Sequence, residues 1–402
     1  MKAERITSAY ISLMLTVFIL FTGTGGYYWL ARKKFIIWAA LTLVWALALT
    51  VCVAKERPLM DKRDPLLRIA ALYGVLCIVS TVVSDYPVFA GFDTGRYNGL
   101  AAYLLYGLLF LGVYFSGRLK EHHLLLFFGA ASLCSAIVLL QYAGLNPLSL
   151  YPDGMNFYSP YIQQVFRFMG TVGNVDLLSA LNCLAVPAAV CSFTHISPKL
   201  RFIPLISAIL GLVSAFAASV SSGFIALAST LAVYLPVKLW GGGKEKKLRQ
   251  FVPLVFLCAE TMACFASVLV LPDEAGSSRI LIWKSSLAVF KEHPLLGIGP
   301  DSLSHYSGIV FNRYSPELGR ELTAAVDNAH CELIQHMVSF GLAGLLPIGT
   351  LTVRIYKRAA EHFLAPALFC YLVQSFFNLG LPVVTPVFVI LLALCAGEDS
   401  SI

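Results

Sequence analysis

The chain alternates long apolar runs with short polar breaks. The runs fall at about 6–22, 35–54, 66–84, 97–115, 122–143, 176–194, 202–219, 222–239, 251–271, 329–353, 363–379 and 383–397. A helix needs roughly 20 apolar residues to cross the hydrocarbon core of a bilayer, and most runs reach that length. Short alternating segments, the mark of a membrane β-barrel, are not the pattern here. The expected fold is therefore all-α: a polytopic membrane helical bundle, about 12 transmembrane helices, forming a single membrane domain over 1–402. The final run is short, and Pro382 and Pro386 make it the weakest of the set.

Composition agrees. The 402 residues are 58% hydrophobic and 13% charged, against roughly a quarter charged in soluble domains. The net charge of +7 has a plain source in cytoplasmic loops, which collect Lys and Arg. No soluble basic domain is left over to bind a nucleic acid. Nine of the ten cysteines lie inside apolar runs, where they act as small hydrophobes, and only Cys331 borders a polar loop. Neither a disulfide framework nor a CxxC metal site is visible. The start, Met1-Lys2-Ala3-Glu4-Arg5, has the charge order of a signal peptide but no clean cleavage site, so a retained first helix is expected.

Basic residues set the orientation. With both termini cytoplasmic, 19 of the 29 Lys and Arg fall on the inside. Of the ten outside, five sit in one long loop that the positive-inside rule discounts. The cluster Arg32-Lys33-Lys34 runs against this orientation, and snorkelling at a helix end is the only account the sequence offers.

Two outside connections are longer than linkage demands: Gly144 to about Val175, and 272–328. Within the second, Ile280, Trp283, Leu287 and Phe290 share one helical face. That pattern suits either an interfacial helix or one packed on the bundle.

Three polar signatures stand on the outside face. The first is Arg167-Phe168-Met169-Gly170-Thr171-Val172-Gly173-Asn174. The second runs Ser277-Ser278-Arg279-Ile280-Leu281-Ile282-Trp283-Lys284 and leads to His293-Pro294-Leu295-Leu296-Gly297-Ile298-Gly299-Pro300. The third is Asp327-Asn328-Ala329-His330-Cys331-Glu332.

Arginine presents a planar donor fork matched to phosphate oxygens, so Arg167 and Arg279 are candidates to grip a lipid-borne pyrophosphate. The plainer alternative is that they solvate helix ends. His330, at a loop–helix junction, is a candidate general base or, alternatively, a structural residue. Glu332 and His336 stand at i,i+4 and offer two metal ligands without a third in view. No DxD pair is present to hold a cation for a nucleotide-sugar donor. Neither a metal nor another cofactor is expected.

In this order and spacing, the three signatures resemble the O-antigen ligase/polymerase (Wzy-C) superfamily of bacterial membrane glycosyltransferases. The likeness extends over roughly 160–395 and includes Gln374-Ser375-Phe376-Phe377-Asn378 near the end. It implies a GT-C-type bundle with an external loop, 272–328, over the site. It implies metal-independent transfer of a glycan from an undecaprenyl-pyrophosphate carrier to an acceptor hydroxyl on a glycan, lipid or cell-wall polymer. Carried over, Arg167 and Arg279 bind the pyrophosphate and His330 serves the acceptor, supported by Asn174, Asp327 and Glu332. The site would face outside the cytoplasmic membrane. Cys331 departs from the family's usual Asn, and Ser222 stands where many members carry a basic residue before Gly223. A multi-span transporter or flippase of lipid-linked glycans is the rival, although no paired repeats or mid-membrane charges favour it. A catalytically silent scaffold is a third reading.

Overall fold

The computed structural model describes residues 2–56, 64–92, 95–163, 167–240, 245–315 and 320–397. Among the basic residues used for orientation, Arg57, Lys62, Arg63 and Lys244 lie outside these ranges. Every apolar run identified in the sequence coincides with a helix. The first five are α1 (Lys2–Leu13, continued by a π-helical turn Met14–Phe18), α2 (Leu30–Glu56), α3 (Pro65–Val82), α4 (Leu100–Ser116) and α5 (Glu121–Tyr142). Next come α6 (Val175–Ser192), α7 (Phe202–Ala218), α8 (Ser221–Trp240) and α9 (Glu245–Val270). After α10 (Ala275–Glu292) the chain continues through α11 (Glu332–Ala359), α12 (Ala365–Ser375) and α13 (Thr385–Gly397).

Eight described helices are long and apolar enough to cross a membrane, and α4, α12 and α13 are shorter apolar helices. The outer surface carries large apolar side chains such as Val44, Leu47, Met262 and Leu269. Water would penalise that surface and lipid would not. The central helix is α6, with 78% of its span buried against 17% for α2 and α9. It packs on α7 and α12, while α11 packs on α3 and α13 on α4.

Among the described residues, two small β-ribbons sit within the all-α fold. A small ribbon pairs β1 (Phe168–Met169) with β2 (Gly173–Asn174), and a longer one pairs β3 (Val310–Ser315) with β4 (Arg320–Ala325), both antiparallel. These strands are short and mixed in polarity, so their period is lost beside runs of some twenty apolar residues. Helix α10 spans Ala275–Glu292 and buries Ile280, Ile282 and Trp283 in a core shared with Ile334 and Val338 of α11. Its apolar face is thus turned onto the bundle.

Two members of the Arg32-Lys33-Lys34 cluster, Lys34 and Arg32, have a structural explanation. Lys34 is fully buried and donates from Nζ to the carbonyls of Phe18 (2.7 Å) and Ile19 (3.0 Å), satisfying the end of the first helix. Arg32 lies over the rings of Trp29 and Phe92, at 5.5 and 5.7 Å. Lys34 points inward, so snorkelling does not account for it.

Candidate functional site

The first signature builds a tight ribbon. Gly170 (φ +65°) and Gly173 (φ +86°) take left-handed conformations that the turn requires. A Cβ on Gly170 would meet the Cys134 sulfur of α5 at 2.9 Å. Thr171 is buried and donates to the Ile19 carbonyl (2.7 Å), tying the turn to the carbonyls that Lys34 caps. The Asn174 side chain accepts from the Asp176 amide (2.7 Å) and caps α6. Arg167, just ahead of β1, is left exposed with φ +41°, and its guanidinium reaches the Ala218 carbonyl at 3.5 Å.

The second and third signatures lock onto each other through a broken helix. Helix α11 is interrupted at Gly341 (φ +60°, ψ −164°), which frees backbone groups on both sides. The 294–299 segment takes them up. Ile298 and Gly299 amides donate to the Val338 and Ser339 carbonyls, both at 2.9 Å. In return, the Leu342 and Ala343 amides donate to Pro294 (2.9 Å) and Leu295 (3.0 Å). Gly297 is needed for this approach, because a Cβ there would run into the Val338–Phe340 backbone.

His330 sits just before α11 with φ +49°. Its amide donates to the Asn328 side chain (2.8 Å), while the Ala329 amide donates to Gln335 Oε1 (2.9 Å). Cys331 is fully buried at the α11 N-cap and its thiol meets that of Cys264 in α9. Asp327 forms a two-point ion pair with Arg96, at 2.7 and 3.0 Å. Burial alone would raise the Asp327 carboxyl, but the charge and hydrogen bonds of Arg96 outweigh it and hold the group below its ordinary range. Burial, reinforced by the charges of Arg96 and Arg279, pushes His330 down to about 4, against a smaller upward pull from Asp327. His330 is neutral at neutral pH.

The signatures meet in space. The charges of Arg279, Arg167 and Arg96 all act on the Asp176 carboxylate in the first turn of α6. Asp176 is held from its other side: its carbonyl accepts from Asn378 (3.0 Å) and Gln374 (3.3 Å). The closing Gln374–Asn378 segment is therefore part of the same construction. The Nε of Arg279 and the Nδ1 of His330 are buried and have no hydrogen-bond partner within the described residues. Each is a polar atom of the kind a substrate satisfies.

Glu332 lies in the first turn of α11. Its carboxylate accepts from the Gly380 amide and lies 3.4 Å from His336 Nδ1. It braces the break between α12 and α13. Among the described residues, no group of three His, Cys, Asp or Glu is arranged to hold a metal ion. Ser222 is buried in the first turn of α8, where Gly223 fits against Ser179 of α6.

Sequence reading missed Arg96 and Asp176. Arg96 follows Gly95 in the outside connection between the third and fourth runs, and no motif marks it. Asp176 was detectable as an acid at the mouth of an apolar span.

The apolar-surfaced helical bundle, with eight described helices long enough to cross a bilayer, is that of a polytopic helical membrane protein. Residues 168–349 match the O-antigen ligase family, Wzy_C, and the chain carries that domain. Members are ligases and polymerases of surface polysaccharide synthesis, working on lipid-linked glycans. No curated protein matches the chain.

Proposed function

We propose that the chain transfers a glycan from an undecaprenyl-pyrophosphate carrier to an acceptor hydroxyl at the outer face of the cytoplasmic membrane. In this reading the bundle crosses twelve times with both termini cytoplasmic, and 160–395 forms the catalytic region beneath the 272–328 loop. The observation that carries it is that Arg279 Nε and His330 Nδ1 are buried without a hydrogen-bond partner among the described residues, with the loop before His330 held by the Arg96–Asp327 ion pair.

The chemistry needs three things. The pyrophosphate must be gripped, and Arg167 and Arg279 offer two guanidinium forks for it. Arg96 is taken up by Asp327 and serves instead to fix the loop that holds His330. The acceptor hydroxyl must lose its proton as its oxygen bonds to the anomeric carbon, and neutral His330 can take it. The bond from that carbon to the pyrophosphate oxygen breaks as the new one forms. The negative charge gathering on the leaving group falls between the two arginines, an arrangement worth about 10²–10³ in rate per donor elsewhere. A positioned general base adds typically about 10²–10⁴.

Cells lacking the gene, complemented with wild type or His330→Ala, test the reading through the size of their surface polysaccharide and lipid-linked intermediates. Retention of single repeat units identifies a polymerase, and full-length chains left on the carrier identify a ligase. Normal polysaccharide from His330→Ala would overturn the assignment of His330.

A further inference from the structure

A cavity of about 330 Å³ opens among the loops beside Arg167. Its walls are Gly25–Tyr28 ahead of α2, Ser149–Asp153 beyond α5, and Tyr161, Ile162 and Phe168 leading into β1. Pockets that hold small ligands run from about 300 to 1,000 Å³, so this one suits a short ligand. Five aromatic residues line it: Tyr27, Tyr28, Tyr151, Tyr161 and Phe168. Asp153 supplies the single charged side chain among the lining residues.

The aromatic wall is built to stay in place. Tyr27 donates its hydroxyl to the Gly170 carbonyl (2.6 Å) and accepts from Gln141 (2.7 Å). Tyr151 donates to the Phe168 carbonyl (2.6 Å), and the Asn146 side chain holds both its amide and its carbonyl at 3.0 Å. The Tyr27 ring stands 5.2 Å from Tyr151 and 5.3 Å from Phe168. Gly26 lets the chains meet, since a Cβ there would come within 2.6 Å of the Leu150 carbonyl oxygen. At the rim, Leu148 and Ser149 both hold left-handed backbone, φ +61° and +49°. Non-glycine residues held in that region cluster at ligand clamps and other functional sites.

The chemistry of the walls selects a ligand class. Asp153 is the charged side chain of the lining, and Lys33 Nζ lies beside that lining, 3.6 Å from where a Cβ on Gly25 would sit, so acceptors and a donor for sugar hydroxyls are both at hand. With tyrosine hydroxyls, a carboxylate and backbone carbonyls, it is too polar for an acyl chain. Flat π-faces meet the C–H faces of a pyranose, and the oxygens accept from its hydroxyls. The cavity also adjoins the transfer site: the Arg167 amide donates to the Ile162 carbonyl (2.7 Å), and Phe168 follows Arg167 directly.

We infer that this aromatic cavity is a saccharide subsite that holds sugar residues of the glycan being transferred or extended. The inference rests on the glycan-transfer reading given above. Its ligand is a neutral, hydroxyl-rich pyranose unit, presented by either the donor chain or the acceptor.

The test is binding of lipid-free oligosaccharide by the purified full chain in detergent, followed by titration calorimetry. The probe is released by mild acid from the surface polysaccharide of the cells that express the protein. Tyr161→Ala and Asp153→Ala should each weaken binding by about tenfold or more, while Tyr161→Phe stays within about threefold. Asp153 is exposed, so its substitution does not threaten the fold. Arg279→Ala should leave oligosaccharide binding unchanged, because the probe carries no pyrophosphate. Displacement of the probe by lipid-linked donor would support a donor-side subsite, and simultaneous binding an acceptor-side one. Wild-type affinity in both Tyr161→Ala and Asp153→Ala would overturn the subsite. So would a wild-type protein that makes polysaccharide in cells yet does not bind the probe, and in that case the glycan-transfer reading would stand.

Discussion

Arg96 and Asp327 lie 231 residues apart, yet they close a two-point ion pair at 2.7 and 3.0 Å, three residues before His330. The pair ties the connection between α3 and α4 to the loop entering α11. It also leaves His330 between one carboxylate and the charges of Arg96 and Arg279.

Breaking the pair from one side strands the other charge. Loss of one partner costs about 3–5 kcal/mol for a fully buried pair, and less here because about a quarter of each side chain is exposed. Arg96→Ala and Asp327→Ala should each lower transfer by about 10²-fold, and Arg96→Lys should rescue little because it cannot reproduce the fork. In a double-mutant cycle on transfer rate, the double variant should be no worse than the poorer single one.

The pH dependence follows from the sign of the His330 shift. The base must be neutral, and His330 is held down to about 4, so kcat/KM should stay level from neutral pH until the acid limb near that value. Arg279 is one of the charges holding it down. Arg279→Ala should therefore move the acid limb to higher pH as well as slow the reaction. A pH–rate profile of both proteins measures this, and an unmoved limb would separate the limb from His330.

Gly341 carries the break in α11, with a φ/ψ pair open essentially to glycine. A Cβ there would press on the Leu295–Leu296 backbone. Gly341→Ala should cost about 1–3 kcal/mol from the conformation alone and lower the Tm in detergent. Gly349, on the same helix with nothing near its missing Cβ, should accept alanine with little change.

Lys34 caps carbonyls inside the bundle, so its role is separable from surface charge. Lys34→Met keeps the length and removes the donor. Stability should fall by about 1–3 kcal/mol, the cost of leaving buried acceptors unmade, with orientation in the membrane unchanged. Thermal unfolding and a fusion reporter at each terminus check the two parts.

Much of this was legible in the sequence, and for identifiable reasons. Helices announce themselves through long apolar runs, so α1 to α9 and α11 to α13 coincide with the runs read from the pattern. Arg167, Arg279 and His330 were visible because they sit in dense local motifs. Arg96 was not, because its importance is a pairing with Asp327 across the fold, which no local spacing encodes. The two ribbons were missed because four short strands have too little period to register. The Lys34 cap was hidden for a related reason: charge counting assigns a lysine to a side of the membrane and does not ask what its ammonium bonds.

The most direct measurement is a single-turnover assay with purified protein and labelled lipid-linked donor, comparing wild type with His330→Ala. Catalysis by His330 predicts that the variant binds donor within about threefold of wild type but releases carrier pyrophosphate about 10²–10⁴-fold more slowly. Release at the wild-type rate would contradict it and leave the arginines without the base they are proposed to serve.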